Sequence, residues 1–407
     1  MSDLSYEDLL EAVSGGAVAF RSSVRLEPAG GPGTKVMPPT YGVADNAPHK
    51  YAIESRVMPD GTTSLTVLLD SVASQANRME MALLSAWETS QTDLPVPFVD
   101  FTGEADLADV GKLTALEAPH RIADAIFRDS LYDETLFRLS DLGMAITHAT
   151  PKNAIALLRT CPTALVFGMW DSTGPKGGLG SKFQRALVSE IVGHDVEVGV
   201  SVGSRVDPLD VRRGVDGITK LPDDDPSVWA FDEDSKKQVR PSEINHGNVT
   251  PSIDERAGGV TISHASQSAV LSFPALRRLK FPVDADGNPF EPEQRQAAEN
   301  AARTLIAAIG VAAVSLQYEF DFDLRSRCLL IPASSPTMEM LGRSGGSPVP
   351  VHIDADAALE LVATANAAAT ELGVGFGPRE VRLVPAPKLG ELLRRSRQVA
   401  AAENPGE

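Results

Sequence analysis

Cysteine is nearly missing from this chain: its 407 residues include two, Cys161 and Cys328. They stand far apart and match no metal-ligand spacing, so a thiolate metal centre is excluded. A structural disulfide is not expected in a reducing compartment, and both thiols read as buried beside apolar runs. Aromatic residues are scarce as well, at 14 Phe, 5 Tyr and 3 Trp, which argues against binding by extensive base stacking. Long apolar runs are missing too: the longest, Leu305 to Leu316, falls well short of the roughly 20 residues a membrane helix needs. The start, Met1 to Glu11, is acidic and carries no basic-then-apolar signal. The expectation is a soluble, cytoplasmic protein with no membrane association.

Positive charge is the other deficit. Lys and Arg number 37 against 55 Asp and Glu, for a net charge of −18. Taken globally, that opposes indiscriminate nucleic-acid binding. The deficit is uneven, however. Between Lys152 and Arg213 there are eight basic and six acidic side chains, while acid concentrates at Asp223 to Asp225 and Asp232 to Asp234. A chain segregated in this way has room for a basic groove.

The composition is otherwise that of a globular protein, with 43% hydrophobic and 23% charged residues. Strand patterns occupy 17–26, 51–57 and 64–69, and a Pro- and Gly-rich excursion fills 28–48. A helix is expected over 71–87, capped by Asp70 or Ser71, and another over 119–130. Further strands are read at 196–202, 259–263 and 269–273. A long helix over 291–309 is followed by a strand over 311–320, then by a helix, a strand and a basic C-terminal helix reaching Arg397. Residues 207–257 are acidic and rich in Pro, Gly and Asp, which marks a flexible insertion. The segments 1–206 and 258–407 would form one folded body around it. Mixed strands and helices with hairpin-like neighbours indicate an α+β fold.

The richest stretch runs from Thr163 to Val192. It reads as an apolar strand (163–170), a glycine-rich loop containing Lys176 and ending Gly180-Ser-Lys182, and an amphipathic helix (183–192). That order often cradles phosphate. A nucleotide-binding P-loop ends in G-K-[ST]; here the last two residues are exchanged. Shifting both by one helical position would turn the lysine and the hydroxyl about 100° away from their tasks. The alternative function, an ATPase built on the 174–182 loop, is therefore disfavoured against a loop that contacts polynucleotide phosphate or is merely structural. On the following helix, Phe183, Leu187 and Ile191 would pack inward, while Lys182, Arg185 and Ser189 would share a stripe suited to an extended anion.

A second polar group lies on the 71–87 helix. Ser71, Ser74, Gln75 and Arg78, with Asn77 at the edge, share the face opposite Val72, Ala76, Met79 and Leu83. Hydrogen-bonding side chains so placed suit ribose and phosphate. In the 28–48 excursion, a rigidified loop presents Lys35 and Tyr41. His120 and Asp124 have the spacing of two ligands on one helical turn, but no third is near, so no metal site is expected. His264, next to Ser263, lacks a nucleophile elbow and an orienting acid, so no hydrolase is expected.

Five ordered blocks together resemble the Csb/GSU-type RAMP family, the Cas-seven-like backbone subunits of type I-G (formerly I-U) CRISPR effector complexes. They are Lys35-Val-Met-Pro-Pro-Thr-Tyr41, Leu69 to Glu80, Pro119 to Ser130, Pro162 to Ser172, and Lys182 to Gly193. The resemblance covers roughly residues 20–200 and is fainter beyond, mainly at 263–282. It implies an RRM-like (ferredoxin-like) palm with inserted finger and thumb elements. It further implies copies of the chain polymerising along a guide crRNA that pairs with target DNA, beside other effector subunits. In such assemblies protein holds backbone and shape while base pairing reads sequence. No enzymatic activity and no cofactor is implied. From block membership and side-chain chemistry, the expected RNA contacts are Lys35, Ser74, Gln75, Asn77, Arg78, Arg121, Lys182 and Arg185. Lys176 joins them from its place in the glycine loop.

Overall fold

The computed structural model describes residues 2–58, 60–172, 181–222, 225 and 227–403. Its centre is a large sheet, antiparallel throughout apart from one short edge pairing. The strands that organise it are β1 (Ala17–Pro28), β2 (Ile53–Val57), β3 (Thr63–Asp70), β4 (Leu187–His194), β5 (His264–Ser272), β6 (Thr337–Gly342) and β7 (Val349–His352). Their spatial order is β7-β6-β1-β5-β4-β3-β2, with Ser2–Asp3 added parallel to β7. Strands β1 and β4 both pair antiparallel with β5 and so run parallel to each other. Helix α1 (Val72–Glu88) leads from β3 toward β4, and helix α2 (Pro292–Glu319) leads from β5 to β6. The fold is α+β, as the sequence indicates.

Helices α1 and α2 pack against each other on one face of the sheet, and α3 (Ala355–Glu371) packs on α2. They close a core containing Phe20, Leu187, Leu271, Met79, Leu83, Leu305 and Ile309. A smaller apolar cluster at the other end of the same face gathers Val24, Leu26, Val67, Ile191, Ala265 and Phe322. A second sheet, in the order Lys112–Thr114, Val96–Asp100, Glu380–Pro385, Ser130–Tyr132, Thr135–Leu136, contributes Phe98 and Leu383 to the main core. The C-terminal helix Pro387–Glu403 is tied down by Arg394 to Glu104 and Asp106, by Arg397 to Asp109 and by Lys388 to Asp129.

Several sequence expectations need correction. Residues 163–170 are not one strand. Thr163–Phe167 is a short helix, ended at Gly168 with φ +84°, and only Met169–Trp170 is extended. All five helical residues are buried, so no periodicity distinguishes helix from strand in that run. Conversely, 183–192 is not a helix, because Lys182–Phe183 and Leu187–His194 are strands. A four-residue spacing of Phe183, Leu187 and Ile191 suits a period of two as well as 3.6. The β-branched Val188, Ile191 and Val192 favour the strand. Residues 311–320 are not a strand either: α2 continues unbroken to Glu319. Gly310, between the expected helix and the expected strand, lets the helix approach β5, for a Cβ there would lie 3.1 Å from both Leu271 methyls. Finally, 119–130 holds only a 3-10 turn (Arg121–Ala123) and one helical turn (Ala125–Arg128).

Helix α2 is long and apolar enough to cross a membrane by length and composition, yet 94% of its most apolar window is buried inside the protein. The connection from β4 to β5 carries successive antiparallel pairs. Glu197–Val198 pairs with Val260–Thr261, Ser201–Arg205 with Val249–Asp254, and Ile218–Lys220 with Trp229–Phe231. The expected single strand at 196–202 is thus split between the first two pairs.

Candidate nucleic-acid interface

Between the two apolar clusters runs a buried polar layer, organised by α1. Ser71 caps the helix, its hydroxyl accepting from the Ser74 amide at 3.2 Å. Asp70, the last residue of β3, is fully buried. It accepts from Ser74 Oγ (2.7 Å), Gln75 Nε2 (2.7 Å), Arg78 Nε (2.9 Å) and Arg325 Nη2 (3.4 Å). A carboxylate this deep is tolerable only when so many donors replace its hydration. Arg325 also donates to the Leu69 carbonyl and to the Met37 carbonyl, bringing the 35–41 block against the start of α1. Gln75 faces inward, where its Oε1 accepts from Ser189 Oγ (2.9 Å), Gln267 Nε2 (2.7 Å) and Gln317 Nε2 (3.2 Å).

Further along α1, buried Glu80 meets Arg121 in a two-pronged ion pair at 2.6 and 2.8 Å. Arg121 takes a left-handed backbone conformation (φ 53°). It lies over the Phe167 ring and donates to the Gly168 carbonyl at 3.0 Å. Burial pushes the Glu80 carboxyl up to about 7, with Arg121 pulling the other way. Beyond Gly168 lies Arg185, whose Cγ would stand 2.9 Å from a Cβ at that glycine. Arg185 is exposed, but its stem is covered at Gly168; that partial burial, and then the charge of Arg121, push its guanidinium below its ordinary range. Glu80, the carboxylate whose charge reaches Arg185, is already committed to Arg121. Lys182 is the cross-strand partner of Trp170 and holds its ammonium 5.5 Å from that ring. It also rims a cleft of about 330 Å³ with Arg278, floored by Leu165, Phe183 and Leu279 and without a carboxylate in its lining.

The expected contacts therefore divide. Gln75 and Arg121 are buried in internal bonds and cannot meet a surface ligand without breaking them. Ser74 and Arg78 are partly exposed but anchored to Asp70. Lys35 donates to the Val200 carbonyl at 2.7 Å, at the root of the β4–β5 arm. Asn77, Lys182 and Arg185 are exposed, and Lys176 lies outside the described residues. Ser189 does not share a surface stripe with Lys182 and Arg185, because its side chain is buried against Gln75.

Sequence reading missed Asp70, Glu80, Gln267, Gln317 and Arg325 as organisers and Trp170 as an exposed ring. Only the lone acids inside the α1 block hinted at buried partners. Among the described residues, no group of three or more His, Cys, Asp or Glu is placed to hold a metal. Asp124 caps its own helical turn, its carboxylate accepting from the Ile126 and His120 amides. Near His264, the carboxylate of Asp195 accepts from Ser263 rather than orienting an imidazole, so a Ser-His-acid relay is not assembled. Both cysteines are buried and free.

Four of the five blocks carrying the resemblance thus contain or touch α1 or a residue bound to it, and the fifth, 35–41, reaches it through Arg325 and Asp70. Residues 20–198, which hold all five, match the family model described as CRISPR-associated protein GSU0053. A search of curated proteins finds no match.

Proposed function

From the match of residues 20–198 to the CRISPR-associated GSU0053 family, we propose that this chain is a crRNA-binding backbone subunit of a CRISPR effector complex of the type I-G class. Several copies polymerise along one guide and support its hybridisation to target DNA, beside other effector subunits. The chain itself carries no catalytic step.

The observation that carries the reading is the strand order β6-β1-β5-β4 with α1 and α2 on one face. With the β2–β3 hairpin set aside, the chain order β1-α1-β4-β5-α2-β6 follows a βαββαβ pattern, which supports the reading of an RRM-like palm. The β2–β3 hairpin is then a finger, and the arm between β4 and β5 is a candidate thumb. Lys182, Arg185 and Arg278 are exposed cations, Lys182 and Arg278 rimming one cleft, and they suit phosphate contacts. Such a local basic surface agrees with a net charge of −18, since the guide is held during assembly rather than found by long-range attraction.

The rival reading, an ATPase on the 174–182 loop, needs a helix whose N-terminus meets the phosphates just after the loop. Strand, not helix, follows at Lys182. Co-expression with a guide RNA tests the proposal. The chain should co-purify with nuclease-protected RNA that high salt releases, and Lys182→Ala/Arg185→Ala should lower the slope of log affinity against log salt by about 2. ATP turnover abolished by Lys176→Ala or Lys182→Ala would overturn it, and so would full self-assembly after nuclease treatment.

A further inference from the structure

We propose that Trp170 is a stacking platform for one unpaired base of single-stranded RNA, with Lys182 and Arg185 gripping the phosphates beside it. The inference rests on the RNA-binding reading and adds a base contact to a surface otherwise expected to hold only backbone.

The three tryptophans differ sharply. Trp87 is buried and packed against Phe98. Trp229 is half-buried, with Phe231 and His246 edge-on to it. Trp170 is 51% exposed, and among the described residues no other ring packs on it. A large apolar ring so placed gains little from folding, because half of its area stays in water. Its described partner is the Lys182 ammonium, 5.5 Å from the ring centroid. A cation on one side of an indole is worth only about 0.5–1 kcal/mol at an exposed site, too little to explain the residue. It does, however, place positive charge beside any base laid on that ring.

Arg185 supplies the second cation. Its stem lies against Gly168, two residues before Trp170. Among the described residues it has no hydrogen-bond or ion-pair partner. It is crowded by Arg121, and Glu80 is fully engaged by that same arginine. An arginine held beside another arginine without its own carboxylate is set up for an incoming anion. An exposed indole with one cation beside its ring and a second whose stem lies two residues back along the chain suits a single strand, ring to base and charge to phosphate.

The test compares two probes of equal length, a uridine oligoribonucleotide and an abasic phosphodiester, titrated against the full chain. Wild type should bind the uridine strand roughly ten-fold more tightly, with quenching of tryptophan emission. Trp170→Leu should bring the uridine affinity down to the abasic level, Trp170→Phe should keep part of the preference, and Lys182→Ala/Arg185→Ala should weaken both probes alike. Trp170 is exposed, so none of its variants endangers the core. If Trp170→Leu keeps the uridine preference and the quenching, or wild type shows no preference, the platform is refuted while RNA binding stands. If wild type binds neither probe, the RNA-binding reading falls with it.

Discussion

Replacing Gln75 with methionine probes the buried polar layer most directly. Methionine nearly matches the volume and flexibility of glutamine, so the cavity cost is small. The hydrogen bonds are not replaced. Ser189 Oγ and Gln317 Nε2 lose their described acceptor, while Gln267 Nε2 keeps Gln317 Oε1. Two buried donors left unpaired cost about 1–3 kcal/mol each, and the lost bond to the Asp70 carboxylate adds about 1.5–3 kcal/mol. Burying a thioether in place of an amide offsets part of this, leaving about 3–5 kcal/mol. The matched control is Gln267→Met. It removes an amide whose Oε1 has no partner among the described residues, and Gln75 Oε1 still accepts from Ser189 and Gln317. Its cost should be about 1–2 kcal/mol. Urea unfolding followed by circular dichroism would measure both, with the slope against denaturant unchanged. A Gln75→Met loss below about 1 kcal/mol, or a larger loss for Gln267→Met, would refute the arrangement.

Two further outcomes follow from the ion pairs. Arg121→Met should destabilise by about 3–5 kcal/mol by stranding Glu80, whereas adding Glu80→Leu should restore most of that loss, as a double-mutant cycle would measure. The Asp129 carboxyl is held down to about 2, chiefly by Arg128 and then by Lys388. A depressed carboxyl stabilises the fold above its unfolded pKa of about 3.9 and loses that contribution as pH falls through its folded value. Hydrogen-exchange protection across 387–397, taken relative to the intrinsic rate at each pH, should therefore fall between pH 4 and pH 2 in the wild type, and Asp129→Asn should show the lowered protection already at pH 7.

What the sequence reveals depends on whether periodicity has one reading or two. Helix α1 is legible because Ala76, Met79 and Leu83 repeat at helical spacing behind a serine cap. The segment 182–194 is not, since its spacing of four satisfies strand and helix together. The short helix 163–167 is buried on every side and has no period to read. Gln75 shows the same difficulty at the candidate site. A helix position opposite the apolar stripe looks like surface until a sheet with its own polar residues, Ser189 and Gln267, arrives from more than a hundred residues away. Arg325 joins the α1 network from farther still, and nothing in its neighbourhood announces that partnership. The exposed cations Lys182 and Arg185 were visible as basic residues in a basic segment, but what singles them out is a neighbouring arginine and a glycine, which only the fold brings together.

The burial of α2 bears on how the protein is made. This helix is emerging from the ribosome before α3, the helix that packs most extensively on it, has been synthesised. Until residue 371 has appeared, a segment apolar enough for a membrane is held by an incomplete shell. Its contacts with α1 also span more than two hundred residues, a separation that slows folding. Nascent chains stalled between 320 and 355 should therefore be the species most prone to aggregate and most dependent on chaperones. Expression trials that shorten the protein from its C-terminal side would meet that barrier well before reaching the family-matched region.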